Sequence, residues 1–148
     1  MIRFQTEIFT HKEFATGKVR VFDISSMREF ARLNAASGDF SDILLNARIP
    51  LEKSEAEFIR ENHGIEQKRL ERLKNPWLSE PLIAISWEQT SEGQDVITVI
   101  DGNHRFVRKH DDGEKEILCY IFRRELWENF VLPDHVILNS GGLNAANL

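Results

Sequence analysis

The feature that most constrains this chain is a junction. Val96-Ile97-Thr98-Val99-Ile100 is β-branched at every position and reads as a strand. It runs straight into Asp101-Gly102-Asn103-His104-Arg105, where a short helix to about His110 opens. A helix that starts so abruptly presents unpaired N–H groups and a partial positive charge. Glycine there allows dihedrals closed to other residues. With backbone N–H groups from Gly102 and Asn103 and side-chain donors from His104 and Arg105, the junction reads as an anion site suited to phosphate. Arg108 and Lys109, one turn on, extend the basic patch. Asp101 sits where it could hold a metal ion, orient His104 or act as a base. The same letters also spell a plain turn in which Asp101 or Asn103 caps the helix. On the residues alone, both readings stand.

The flanking pattern predicts a mixture of short strands and helices. Pro81–Trp87 is a strand candidate that would pair with 96–100 as a hairpin across a turn at 91–95, and Glu116–Phe122 is a third strand. Ile2–Phe4 and Val19–Phe22 are short strand candidates. Ser25 or Ser26 offers an N-cap to a helix carrying Met27, Phe30 and Ala31, and Ile49-Pro50-Leu51 should be extended. Ser54 with Glu57 fits a capping box for a helix ending near His63-Gly64, and a further helix is expected over about 65–74. A short helix around 124–130 would pack Phe122, Trp127, Phe130 and Val131 on the sheet, and the last dozen residues read as loosely ordered. The class is α+β.

Composition bounds the rest. A chain of 148 residues with 41% hydrophobic content suits one core. One cysteine, Cys119, excludes an internal disulfide and multi-thiolate zinc sites, and its place among apolar strand residues makes it a buried small hydrophobe. A net charge of −5 does not favour nucleic acid, although a local basic patch overrides a mean field. Lys68, Arg69, Arg72 and Lys74 form one such candidate, interleaved with Glu66 and Glu71 as in a solvated helix face. His110 with Asp111 and Asp112 reads as a solvated helix end rather than a metal site, and Trp77 and Trp87 as packing residues. No apolar run approaches the roughly 20 residues of a membrane span, and the N-terminus has no signal-peptide pattern, so a soluble, cytoplasmic protein without membrane contact is expected.

The order Ala47–Leu51, a helix ending Leu70–Lys74, Pro81–Ile85, a hairpin, Val99–Arg105, a helix, Gly113 and Glu116–Ile121 resembles the ParB/sulfiredoxin superfamily. The resemblance spans about 45–124. It implies a ParB/sulfiredoxin-like domain over 45–132, a small mixed sheet with short helices, preceded by an N-terminal extension at 1–44 packed on it and followed by a tail at 133–148. It also implies that Gly102, His104 and Arg105 match phosphate-binding positions. Asn103 stands where sulfiredoxins carry a catalytic cysteine and ParB proteins a glutamate, which sets sulfinic-acid repair aside. The motif resembles most the D-G-H-H-R of the free-serine-kinase branch, where the aspartate activates the substrate hydroxyl and an acid from the N-terminal part of the domain assists. Asp101 and either Glu52 or Glu55 occupy those places.

Three functions follow as expectations. The first is a nucleotide-dependent phosphotransferase or hydrolase. In it Gly102, Asn103, His104, Arg105 and Arg108 would hold the phosphates of a nucleoside di- or triphosphate, Mg2+ would bridge them, and Asp101 would be base or metal ligand. The second is a ParB-like nuclease or DNA-binding protein of phage or plasmid type, gripping a backbone phosphate at the same turn. The third is a noncatalytic interaction module that meets a protein partner through residues 1–44.

Overall fold

The computed structural model describes residues 8–13, 16–88 and 96–133. The expected strand at 2–4, the turn at 91–95 and nearly all of the tail lie outside these. The fold is mixed α+β, with two small open sheets and short helices. In chain order the elements are β1 (Ile8–Lys12), β2 (Val19–Asp23), α1 (Ile24–Asn34), β3 (Leu44–Pro50), α2 (Lys53–Asn62), α3 (Gln67–Arg72), β4 (Leu82–Ser86), β5 (Ile97–Asp101), α4 (Asn103–Asp111), β6 (Glu116–Phe122) and α5 (Arg124–Trp127). No helix among the described residues is long and apolar enough to cross a membrane.

The main sheet has the order β3-β6-β4-β5. β4 and β5 form the expected antiparallel pair, α4 crosses over, and β6 returns parallel to β4 on its other side. β3 closes the far edge antiparallel to β6, with Ala47 opposite Cys119. Every residue of β4 is buried, as expected of a central strand covered on both faces. Leu82 and Ala84 face one core with Ile59 and Phe106, whereas Ile83 and Ile85 face another with Phe22 and Met27. The helices α2, α3 and α4 cover the first face. The β1–β2 hairpin, α1 and α5 cover the second.

The stretch before residue 45 therefore shares with α5 the packing of one face of the central strand. Phe22, Ile24 and Met27 are fully buried in the same cluster as Phe122 and Trp127. Glu13, in the hairpin turn, pins this layer down. Its carboxylate accepts hydrogen bonds from Arg124 at 2.6 Å, Thr16 at 2.8 Å and Arg20 at 3.2 Å. Burial pushes this carboxyl up, but the Arg124, Thr16 and Arg20 hydrogen bonds and the Arg124 charge outweigh that and hold it at about 2.

Two helix starts differ from expectation. Asp23, not Ser25 or Ser26, caps α1, and its side chain accepts from the Ser26 N–H at 3.0 Å. The hairpin strand ends on Asp23, so the helix begins at once. Ser54 lies inside α2 rather than capping it, because Glu52 is already the N-cap and makes no side-chain cap bond. Leu51 is fixed by its N–H to Lys115 carbonyl bond, and the Ala56 N–H already reaches the Glu52 carbonyl. The helix expected over 65–74 spans only Gln67–Arg72. Of Trp77 and Trp87, both read as packing residues, Trp87 packs as expected, whereas Trp77 is 58% exposed.

Candidate functional site

The β5–α4 junction forms as the sequence predicts. Gly102 is the N-cap of α4, with φ 104°, and no side chain caps the helix. Neither Asp101 nor Asn103 plays that role. The glycine is required by space as well as by dihedral. A Cβ at this position would lie 2.4 Å from Leu82 Cδ2 and 2.8 Å from Arg105 Nη2. On that side the backbone is pressed against its own protein.

Three side chains of the motif, Asp101, His104 and Arg105, are engaged within the fold. Asp101 is 9% exposed, and its Oδ2 accepts from Arg28 Nε at 3.2 Å, Arg28 Nη2 at 3.0 Å and Arg105 Nη2 at 3.3 Å. Arg28 comes from α1, 73 residues earlier. Arg105 is also buried, and its Nη2 donates to the Pro81 carbonyl at 3.1 Å. These contacts join α1, the start of β4, the end of β5 and α4. They leave Asp101 as an anchor between two guanidinium groups.

His104 and Arg108 lie one turn apart on α4 and hold the two ends of α3. His104 Nε2 accepts the N–H of Glu66, the N-cap of α3, at 3.2 Å. Arg108 Nη1 donates to the Leu70 carbonyl at 2.7 Å and the Leu73 carbonyl at 3.2 Å. A six-residue helix has orphan groups at both ends, and α4 satisfies them at each. His104 must be neutral at Nε2 to accept. Burial lowers its pKa, the Arg69 charge lowers it further, and Glu66 opposes both.

The other candidates fall into two places. Glu52, Glu55 and Asn103 come together in a groove of about 560 Å³. Its floor is apolar, with Ile59, Phe106 and Val99, and its walls include Phe58, His63 and Ile97. His11 of β1 closes one side. Burial lowers the His11 pKa and the nearby His63 lowers it further. Lys68, Arg69, Arg72 and Lys74 lie outside the groove, exposed on and just after α3. His110 sits 3.3 Å from Asp111, and Asp112 pairs with Arg108, so this acidic stretch belongs to the end of α4. Cys119 is buried, and burial pushes its thiol up to about 12. Among the described residues, no group of three or more His, Cys, Asp or Glu side chains is placed to hold a metal ion.

Sequence reasoning did not find Arg28, His11, Phe58, His63 or Ile97. Arg28 carries no local signal, since its partner is remote in sequence. Phe58 and Ile97 stand out only in the structure, which leaves each of these large apolar residues about half exposed, at 54% and 48%. Against known proteins, no family model, curated protein or solved structure matches this chain.

Proposed function

We propose that this chain is a noncatalytic binding module of the ParB/sulfiredoxin type. Its ligand would occupy the groove between α2, β5 and the start of α4. One observation carries the reading: Asp101, His104, Arg105 and Arg108 all bond to other parts of the same chain. An acid held by two arginines is poorly placed to take a proton from a substrate hydroxyl. The groove beside it has the size and the apolar lining of a ligand site. The N-terminal segment contributes to this site through His11 and, indirectly, through Arg28.

A second reading is favoured by the uncapped start of α4. The first-turn N–H groups beside Asn103 could receive the phosphates of a magnesium nucleotide, with Glu52 and Glu55 across the groove to meet the metal. Thermal denaturation with ATP, CTP or GTP and Mg2+ separates the two. A ligand that binds only the folded state raises the melting temperature. The module reading expects no saturable rise with any nucleotide. A rise with one of them, abolished by Asn103→Phe, which fills the polar end of the groove, would overturn it.

A further inference from the structure

The groove runs along β5, whose outer edge pairs with no strand among the described residues. Ile97, Thr98 and Val99 all line it. Ile97 and Val99 point to one face of the sheet, and the groove follows the strand past Thr98 between them at the end of the sheet. β5 is the end strand of its sheet, and among the described residues its only strand partner is β4. Its sequence, Ile-Thr-Val-Ile-Asp, carries neither the lysine nor the proline that commonly protects an edge. The facing wall is one face of α2, where Glu55, Phe58, Ile59 and Asn62 recur at helical spacing. Phe58 and Ile97, which line the groove, are each about half exposed.

The charges in the groove have one sign. Glu52 and Glu55 are its carboxylates, it contains no lysine or arginine, and neither glutamate forms an ion pair among the described residues. His11 and His63 are its other titratable groups.

The geometry points to an extended polypeptide as the partner, resting on the module reading above. Its backbone pairs with the outer edge of β5. Apolar side chains at alternate positions enter the groove between Ile97, Val99 and Phe58, and a lysine or arginine meets Glu52 and Glu55. Main-chain bonds supply affinity in this mode, and the pockets for alternate side chains supply specificity. The strand also leads the bound segment toward Asn103, because β5 ends at the junction.

The test uses the full chain, labelled with 15N, and acetylated hexapeptides that alternate lysine with valine, leucine or phenylalanine. At least one peptide is expected to bind below about 1 mM. It should shift the amides of 97–99 and of α2. Replacing its lysines by glutamates should weaken it by roughly tenfold or more, and Glu52→Gln with Glu55→Gln should weaken the lysine peptide about fivefold. N-methylation of alternate backbone nitrogens should abolish binding. The proposal is overturned if none of the three peptides binds, if the shifts avoid β5, or if the N-methylated peptide binds as well. Benzylamine, a small amine with an apolar body, is titrated alongside. If it shifts the groove while no peptide does, the module reading stands and the polypeptide falls. If neither does and a magnesium nucleotide shifts 103–105, both fall.

Discussion

The β5–α4 junction and the groove beside it are made to opposite plans. The junction is dense in polar side chains, and nearly all of them are bonded inward. Asp101 joins Arg28 and Arg105, while His104 and Arg108 hold α3 at its two ends. The groove surface is mostly apolar, and of its polar residues Glu52, Glu55 and Asn103 line open space. The residues with the most chemical character thus act as framework, and the blander ones form the accessible surface. A motif shows which groups lie close in sequence; it does not show which way they turn.

The largest effect expected from breaking this contrast is at Arg105. Arg105→Ala leaves Asp101 with Arg28 alone and the Pro81 carbonyl without this donor, and should cost about 3 kcal/mol in urea unfolding. A loss near zero would mean that the guanidinium is not framework. Next comes Gly102→Ala, which adds a Cβ against Leu82 and Arg105 at a positive φ. It should cost about 1–3 kcal/mol, read from the same denaturation curves. Arg108→Ala takes the side-chain donor from the Leu73 carbonyl and leaves the Leu70 carbonyl with only the 3.4 Å bond from the Leu73 N–H, and should cost about 1–2 kcal/mol. Faster hydrogen exchange confined to 66–73 would identify α3 as the element released.

Acid sharpens the same comparison by a smaller amount. His104 is held neutral in the fold, with its pKa below the usual imidazole value. Its share of the stability is complete above the ordinary pKa of about 6.5 and is lost as pH falls from there through the lowered folded value. Proton uptake should therefore loosen α3 first, visible as exchange at the Glu66 amide, and His104→Gln should flatten this dependence. The smallest effect belongs to the groove. Phe58→Ser, at a half-exposed position, should change stability by no more than about 0.5 kcal/mol and yet abolish peptide binding. Loss of folding in that variant would place Phe58 in the framework after all.

Much of the fold was legible. The β-branched run at 96–100, the apolar strand at 82–86 and Glu116–Phe122 emerge as strands because their patterns leave few other choices. The glycine junction also forms where expected. Helix starts were less legible, because Ser25 and Ser54 are good capping types that lost to Asp23, where β2 ends, and to Glu52, two residues after β3 ends. At the site, residue identity was visible and direction was not. Arg105 and Arg108 look alike in sequence, yet one turns to Asp101 and the other to the carbonyls of α3. Arg28 could not be found locally, since its partner lies 73 residues away. The groove was half legible, through Glu52, Glu55 and Asn103, and its apolar part was hidden among ordinary core residues.

The most direct test of the framework account is a titration of the 15N-labelled chain with the magnesium complexes of ATP, CTP and GTP, followed at the amides of Asn103, His104 and Arg105. The account predicts that these signals stay in place to millimolar nucleotide. A saturable shift at all three, with one nucleotide preferred, would contradict it and make the junction a phosphate site.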